Sequence, residues 1–313
     1  MILVGVVEKT VKDIVALKIQ GASNVRKRSV EALVEASLAS KSKKPDLFRK
    51  EFLKNASALF YARPTEPELR TALRIIKRSI SSKGMEVEEM KSAIEITAKR
   101  YEDSRKDALV RIARYGAELI HSNATVLTIC HSRSVIDMLI KAKSKIKKVY
   151  CLESRPLYQG RVTAKELSEA GLDVTLIVDN AASSVMKECD YFFSGADALL
   201  ADGDIVNKIG TAQISMLCAH FDVKHYAVSS THKFEPASFF GKAEPIEQRA
   251  FDEVWEEKAR GKVKINNPAF DRTESSSIEG IICELGVFPP QVLASKLFDE
   301  LELEKHEPEF LQL

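Results

Sequence analysis

Residues able to transfer protons or bind anions stand at the ends of short apolar runs in the second half of this chain. Cys130 ends the first of these runs, Asp197 ends the fourth, and Lys233 closely follows the fifth. Short apolar runs separated by amphipathic stretches are typical of βαβ units with a parallel sheet. Ligands bind to such sheets outside the carboxyl ends of the strands. The sequence therefore predicts a ligand site at that edge of a sheet.

Cys130 is the best candidate for a reactive thiol. A helix is predicted to begin at Ser134, which would bring the thiol close to the N–H groups and positive end of a helix, with Arg133 nearby. Each effect lowers the pKa of a thiol toward neutrality. The alternative is an inert core cysteine. That interpretation fits the other four, which lie inside strands or on apolar helix faces: Cys151, Cys189, Cys218 and Cys283.

Asp197 is the candidate proton donor. It ends the apolar run that begins at Phe192, and a carboxyl group that enters an apolar pocket holds its proton more readily because burial disfavours the charge. A helix-capping or turn aspartate is the alternative. Gly195 favours the functional interpretation, because glycine allows a ligand to approach the backbone closely.

Four cations are predicted to face one cleft and to bind an anionic ligand, most simply a phosphate: Arg63, Arg155, Lys208 and Lys233. Taken singly, each is equally consistent with a solvated surface cation. Residues 20–23 open a helix predicted at Asn24–Leu33, and a turn of small residues in that place can bind phosphate through its N–H groups.

Composition limits the classes of function. The 313 residues carry 47 Lys+Arg against 45 Asp+Glu, so a net charge of +2 gives no electrostatic reason to expect nucleic acid or a membrane as partner. Five cysteines without a Cys-x-x-Cys pair argue against disulfides and structural zinc, and six scattered histidines predict no metal site. Phosphate-binding and dinucleotide-binding glycine loops are absent. We expect a cytoplasmic protein that uses no cofactor.

The fold class predicted is α/β, with two domains. Residues 1–122 read as a helical domain, and residues 123–313 as a Rossmann-like domain with a mainly parallel sheet. Its connecting helices are predicted at Ser134–Lys143, Val162–Ala170, Ala181–Cys189 and Lys208–Phe221. The charged, irregular segment Glu244–Asn267 is predicted to be an insertion.

Several strings resemble a known family. They are Ala62-Arg-Pro-Thr65, Thr128-Ile-Cys-His-Ser132, Glu153-Ser-Arg-Pro156, Tyr158-Gln-Gly160, Gly195-Ala-Asp197, Gly203–Thr211, His232-Lys-Phe234, Asn267-Pro-Ala-Phe-Asp271 and Gly286–Pro290. The chain resembles the sugar-phosphate isomerases related to the regulatory subunits of translation initiation factor 2B. Within that family the similarity is greatest to the archaeal ribose-1,5-bisphosphate isomerases.

This resemblance implies an aldose–ketose conversion of ribose 1,5-bisphosphate to ribulose 1,5-bisphosphate, in the breakdown of nucleoside monophosphates such as AMP. It implies that Cys130 accepts a proton and that Asp197 donates one. Substrate contacts are implied at Gly21, Ala22, Ser23, Arg63, Ser132, Arg133, Ser134, Asn207, Lys208 and Lys233. The matching strings add Glu153, Arg155 and Gln159. A homodimer or homohexamer is implied as the assembly.

Two other functions stay open. The chain departs from the family pattern at Gln20 and Leu285, where arginine is usual, and at Ile129, where histidine is common. Gln20 and Leu285 favour a non-catalytic regulatory subunit that binds a nucleotide or sugar phosphate and the translation initiation GTPase. The second alternative, a methylthioribose-1-phosphate isomerase, shares the acid–base pair but binds one phosphate and an apolar thioether.

Overall fold

The computed structural model describes residues 5–19, 21–63, 65–256 and 261–300. Its helices are α1 (Gly5–Val15), α2 (Ala22–Leu38), α3 (Pro45–Phe60), α4 (Pro67–Arg78), α5 (Val87–Leu119), α6 (Arg133–Lys141), α7 (Gln159–Glu169), α8 (Ala182–Val185), α9 (Thr211–Phe221) and α10 (Pro290–Glu300). Its strands are β1 (Ala124–Thr128), β2 (Ile146–Leu152), β3 (Val174–Ile177), β4 (Tyr191–Ser194), β5 (Ala198–Leu199), β6 (Ile205–Lys208), β7 (Lys224–Val228), β8 (Phe270–Thr273), β9 (Gly280–Cys283) and β10 (Gly286–Phe288).

Helices α1 to α5 form the first half of the molecule around a core of their own. Leu33, Phe52, Leu73 and Met90 are almost fully buried in it. Helices α3 and α4 carry proline in the first turn, where the missing N–H costs no hydrogen bond. The 33-residue α5 starts with a capping box and reaches beyond this core. Because Ile112 of α5 is buried in the core of the sheet instead, α5 belongs to both cores, and the domain division at residues 122 and 123 stays a prediction.

A seven-stranded sheet forms the second half, in the order β10-β9-β7-β4-β1-β2-β3. All neighbours are parallel except β10, which is antiparallel to β9. Alternate residues face opposite sides. Val126 and Phe193 pack with α5 and α6, whereas Leu127 and Phe192 pack with α8 and α9. Because side chains alternate along a strand, one apolar run supplies both cores. The predicted α/β class with a mainly parallel sheet is confirmed.

The order of strands reverses between β1 and β4. The chain goes from β1 outward to β2 and β3, and then returns to place β4 on the other side of β1. Thr128 of β1 lies opposite Phe193 of β4. In open α/β sheets this switch point leaves a crevice beyond the carboxyl ends of the two strands, where ligands bind. The residues that follow β1 and β4 therefore meet at the mouth of that crevice.

A second, small antiparallel sheet contains β5, β6 and β8 in that order. The sequence analysis did not predict this sheet. Its strands contain two to four residues, too few for a recognisable alternating pattern. The prediction that a helix starts at Lys208 was therefore wrong, because Lys208 ends β6 and α9 begins at Thr211. The helix predicted at Ala181–Cys189 was also wrong, since only Ala182–Val185 is α-helical, between two short 3₁₀ turns.

The segment predicted as an insertion connects the two halves. Glu244 binds Arg70 of α4, and Glu247 binds Arg63, although both glutamates lie far along the chain from these arginines. Residues 257–260 of this segment lie outside the described residues. None of the described helices is long and apolar enough to cross a bilayer.

Candidate active site

Cys130 follows β1 at the crevice. Its φ of 64° places it in the left-handed region, an uncommon conformation for a residue with a side chain. Two hydrogen bonds hold this turn: the Cys130 N–H donates to Ser154 Oγ at 2.7 Å, and the Thr163 hydroxyl donates to the Cys130 carbonyl oxygen at 2.7 Å. The sharp turn directs the backbone out of the sheet, and α6 begins three residues later at Arg133.

Asp197 follows β4, directly across the switch point. Its N–H donates to the Val206 carbonyl oxygen at 2.7 Å, so the small sheet holds its backbone. Gly195 lies against the loop after β1, since an added Cβ would stand 2.9 Å from Ser132 Oγ and 3.6 Å from Asn207 Oδ1. The glycine thus permits close approach of a neighbouring side chain, and the predicted approach of a ligand stays a prediction.

The two candidate catalytic groups and two lysines act on each other electrostatically. The carboxylate of Asp197 raises the pKa of the Cys130 thiol, while the ammonium groups of Lys208 and Lys233 lower it. Lys233 Nζ also donates to the Ala196 carbonyl oxygen at 2.6 Å, next to Asp197. The structure therefore brings Cys130, Asp197, Lys208 and Lys233 to one place.

The prediction of a lowered thiol pKa at Cys130 was wrong for the free protein. Burial is the largest influence and raises the pKa of Cys130, and it outweighs both lysines and a backbone N–H at His131. Arg133 is not among the largest influences on this pKa, and its guanidinium pairs with Asp137 and Glu166 on the surface. The other four cysteines are buried, as predicted.

Asp271 secures the position of Lys208. It accepts hydrogen bonds from the N–H groups of Gly210, the N-cap residue of α9, at 2.7 Å and of Ala212, in the first turn of α9, at 3.2 Å. Lys208 itself lies over the ring of Phe270, with its Nζ 5.1 Å from the ring centroid. The string Asn267–Asp271 thus fixes the turn that carries Lys208. Asn207 is buried and donates to the Thr211 hydroxyl at 2.9 Å.

The helical half contributes Arg63, but not as a free cation. Its Nε donates to Glu247 at 3.0 Å, and its NH1 lies 3.6 Å from a carboxylate oxygen of Glu66. Arg63 is therefore already paired with carboxylates, and its predicted contact with the substrate stays a prediction. Lys208 and Lys233 differ, since neither pairs with a carboxylate within 4 Å among the described residues.

The loop before α2 lies beside a second ionic cluster. Gly21, with φ 79°, precedes α2, which begins at Ala22 two residues earlier than predicted. Ser23 Oγ accepts a short hydrogen bond from Arg105, which also binds the buried Glu68 at 2.6 Å. Lys233 acts on Glu68 and lowers its pKa, so this loop lies on the same side of the molecule as the candidate site. Gln20 lies outside the described residues.

Other predicted contacts are engaged elsewhere. Glu153 accepts a hydrogen bond from Arg161 at 2.8 Å, and Arg155 donates to the Tyr158 hydroxyl at 2.8 Å and to the Val254 carbonyl oxygen at 3.1 Å. Gln159, in contrast, has a buried side-chain carbonyl oxygen that finds no hydrogen-bond partner among the residues that the structure describes. Ser132 and Ser134 lie at the start of α6, where Ser132 is the N-cap residue.

The sequence analysis did not single out several residues that lie at the candidate site. Glu66 and Glu68 are each 3% exposed and are both influenced by Lys233. Ser154 supports the turn at Cys130. The spacing of Glu66 and Glu68 around Pro67 resembles an ordinary helix start, so only their burial against the other half marks them. Within the described part of the chain, no three His, Cys, Asp or Glu side chains are grouped so as to hold a metal ion.

Comparison with known proteins places the chain in a family. A model of the initiation factor 2 subunit family matches residues 18–290. The chain belongs to this family. The ribose 1,5-bisphosphate isomerase of Methanocaldococcus jannaschii is 35% identical over 304 residues, which cover 95% of this chain and 97% of that relative. The predicted resemblance is confirmed.

Two solved structures agree with this chain in fold. The Pyrococcus horikoshii translation initiation factor eIF-2B matches with a TM-score of 0.80 at 25% identity, covering 93% of this chain and all of that one. The 5-methylthioribose 1-phosphate isomerase of the same organism matches with a TM-score of 0.77 at 31% identity, covering 94% and 88%. The fold is therefore shared with one protein named as an isomerase and one named as an initiation factor.

Proposed function

We propose that this protein is a sugar-phosphate isomerase that converts ribose 1,5-bisphosphate to ribulose 1,5-bisphosphate, with Cys130 as base and Asp197 as acid. The observation that carries the proposal is the position of these two residues after adjacent parallel strands at the switch point. Similarity to a relative of that name over 95% of the chain supports the substrate. A role in the breakdown of AMP and other nucleoside monophosphates, in the cytoplasm, is part of the proposal.

The reaction needs one acid and one base and no cofactor. C1 of the substrate carries phosphate, so the ring must open by cleavage of the bond between C1 and the ring oxygen. Asp197 gives its proton to the ring oxygen, while the Cys130 thiolate removes the proton from C2. The product of this step is an enol with a double bond between C1 and C2. Cys130 then returns a proton to C1, the C2 hydroxyl proton passes to Asp197, and both groups regain their starting states.

Lys208 and Lys233 bind the anionic substrate. Each lacks a carboxylate partner in the described structure, and each stabilises the thiolate form of Cys130. An ammonium group serves as a point charge for phosphate. Backbone N–H groups at Gly21, Ala22 and Ser23, at the start of α2, offer a second anchor. Binding of phosphate at both places would hold C1 and C2 of the substrate close to the acid and the base.

The second candidate is a non-catalytic initiation factor 2B-like subunit. Two observations favour it: the raised pKa of Cys130 in the free protein, and the occupation of Arg63 by Glu247 and Glu66. Such a protein would bind a phosphorylated ligand without converting it. We expect assembly as a homodimer or homohexamer under either proposal.

Incubation with ribose 1,5-bisphosphate separates these functions. The wild type should form ribulose 1,5-bisphosphate, detected by the ketone carbon in NMR, and Cys130→Ser and Asp197→Asn should each lower kcat by about 10³-fold while binding is retained. Cys189→Ser and Asp202→Asn are the matched controls outside the site and should keep activity. Binding of ribose 1,5-bisphosphate without formation of a ketose would favour the regulatory subunit. Turnover of methylthioribose 1-phosphate alone would favour a methylthioribose-1-phosphate isomerase.

A further inference from the structure

Hydrogen bonds join the loops that follow β1, β2 and β3 at the carboxyl edge of the sheet. The carboxylate of Asp179, just beyond β3, accepts the N–H of Ser154 at 2.7 Å and the N–H of Arg155 at 2.7 Å, both in the loop after β2. The Ser154 hydroxyl oxygen in turn accepts the N–H of Cys130, just beyond β1, at 2.7 Å. A continuous network of hydrogen bonds therefore runs from Asp179 through Ser154 to the proposed base.

The direction of the bonds in this network is fixed by the Ser154 hydroxyl. Ser154 is 2% exposed, and its hydroxyl has one proton, which it donates to the Leu152 carbonyl oxygen at 3.2 Å. A lone pair of the same oxygen is left to accept the N–H of Cys130. An ionised carboxylate is an acceptor only, and the bonds that it makes are stronger than those between neutral groups. Asp179 thus determines where the Ser154 backbone lies, and Ser154 determines where the Cys130 N–H lies.

The network holds two residues in a backbone conformation that side chains disfavour. Cys130 has a φ of 64° and Ser154 a φ of 60°, both in the left-handed region. Residues other than glycine keep this conformation only where the surrounding contacts enforce it, and such residues are concentrated at functional sites. The Thr163 hydroxyl holds the carbonyl oxygen of Cys130 at 2.7 Å. Both backbone polar groups of Cys130 are therefore held, and the hold on its N–H depends on Asp179.

We propose that Asp179 is a positioning residue for the base, which acts through Ser154 to keep Cys130 in the turn that directs its thiol into the crevice between β1 and β4. This inference rests on the proposed function, in which Cys130 removes the proton from C2. A base must stand within hydrogen-bond reach of the proton that it removes, and a displacement of about 1 Å can cost about a hundredfold in rate. Asp179 is not among the largest influences on the pKa of Cys130, so its contribution is to geometry and not to charge.

Two single variants and their combination test whether Asp179 acts through Ser154. Asp179→Asn keeps the shape of the side chain but replaces one acceptor oxygen with an NH2 group, and Ser154→Ala removes the hydroxyl. Each should lower kcat about tenfold. The double variant should lose no more than the larger of the two single losses, because residues that act in series are not additive. The pH at which kcat rises should stay that of the wild type, and the KM of Ser154→Ala should stay within about twofold.

Asp190→Asn is the matched control. The carboxylate of Asp190 accepts the N–H of Thr125 at 2.7 Å. It therefore holds the backbone of the same strand, β1, at the end away from Cys130. This variant should lose a similar amount of stability to denaturant as Asp179→Asn, because each gives up a carboxylate bond to the backbone, but it should keep kcat within about twofold of the wild type.

Amide hydrogen exchange tests the network without a substrate. The protection of the Cys130 N–H should fall about tenfold or more in Asp179→Asn and in Ser154→Ala, and should be unchanged in Asp190→Asn. Unchanged protection in folded Asp179→Asn, or losses of kcat that multiply in the double variant, would overturn the inference. If the wild type forms no ribulose 1,5-bisphosphate while the exchange results hold, the proposed function fails, and Asp179 is left as a residue that fixes the turn at Cys130 without serving this reaction.

Discussion

At the scale of single residues, the reactivity of Cys130 is decided by a competition between burial and two lysines. Burial raises the pKa of the thiol, and Lys208 is the largest influence that lowers it. A base that must be a thiolate gains from a rise in pH, so isomerase activity should increase from acid pH as the thiol ionises. A phosphorylated substrate does not change this sign, although its negative charge shifts the increase to higher pH.

The rate at which Cys130 is alkylated at different pH values reports how readily the thiol ionises, and it can be measured without a substrate. Iodoacetamide should modify Cys130 selectively in the folded protein, because the other four cysteines are buried. Lys208→Met should move the pH dependence of the alkylation rate to higher pH, since the thiolate loses its strongest stabilising charge. Lys187→Met, an exposed lysine elsewhere, should leave the profile unchanged. A profile that is the same in Lys208→Met and the wild type would show that Lys208 does not face the thiol.

The sequence identifies Cys130, Asp197 and Lys233 because each ends or follows an apolar run, and the structure brings these three together with Lys208, another of the predicted cations. The protonation states of such residues are harder to predict from the sequence. The pKa of Cys130 depends on how far the folded protein buries the thiol, and no local spacing in the sequence records such burial. Glu66 is hidden for the same reason, since its burial arises only when α4 packs against the turn after β7.

At the scale of elements, the site depends on how β4, β7 and α9 are joined. His225 of β7 is buried between two hydroxyls: its Nε2 lies 2.9 Å from Ser194 Oγ, and its Nδ1 lies 2.8 Å from Ser215 Oγ. The Ser215 hydroxyl donates to the Ser277 carbonyl oxygen at 2.9 Å, so Nδ1 must be the donor and Nε2 the acceptor. Burial lowers the pKa of His225 to about 3.

This histidine makes the fold sensitive to acid. Below about pH 6.5, His225 becomes protonated in the unfolded chain, whereas in the folded protein it stays neutral down to about pH 3. The free energy of unfolding therefore falls as pH falls through this range, by up to about 1.4 kcal/mol per pH unit. His225→Gln should be less stable than the wild type at pH 7, but its deficit should shrink between pH 6.5 and pH 4.5. Denaturant unfolding at several pH values measures this, with His220→Gln on the exposed face of α9 as control. A deficit that stays constant over that range would contradict the neutral state of His225.

Elements with a long repeated pattern were predictable, and short ones were not. The 33-residue α5 lies in the region predicted to be helical, and the apolar runs that end near Cys130 and Asp197 are β1 and β4. Strand β5 has two residues, and α8 has four, so neither completes a period that distinguishes strand from helix. Lys208 was assigned to a helix because its strand belongs to a sheet formed by distant segments, β6 with β8.

At the scale of the whole molecule, buried ion pairs join the helical half to the turn after β7. Arg70 of α4 donates to Glu235 at 2.7 Å and binds both oxygens of Glu244. Arg74 lies 3.2 Å from the same Glu235. Burial and these partners make the network costly to break, because the loss of one member leaves charges without a partner in a dry environment.

Removal of Arg70 should therefore loosen the junction of the two halves. Arg70→Met should lower the free energy of unfolding by about 3–5 kcal/mol, since Glu235 and Glu244 remain buried with only Arg74 between them. Lys12→Met, which breaks an exposed pair with Glu8, should cost less than about 0.5 kcal/mol. Denaturant unfolding measures the free energy of unfolding of both variants. If Arg70→Met loses as little stability as Lys12→Met, the ion-pair network does not stabilise the junction of the two halves.

The central claim is that Cys130 and Asp197 move protons across one crevice, and a labelled substrate tests it most directly. Ribose 1,5-bisphosphate deuterated at C2 should be converted in ordinary water to ribulose 1,5-bisphosphate with label at C1 diluted by solvent protons, and conversion should be slowed by the C2 deuterium. Cys130→Ser should abolish both the conversion and the loss of label from C2. Unslowed conversion with the deuterium wholly retained at C1, or conversion by Cys130→Ser at the wild-type rate, would contradict the account.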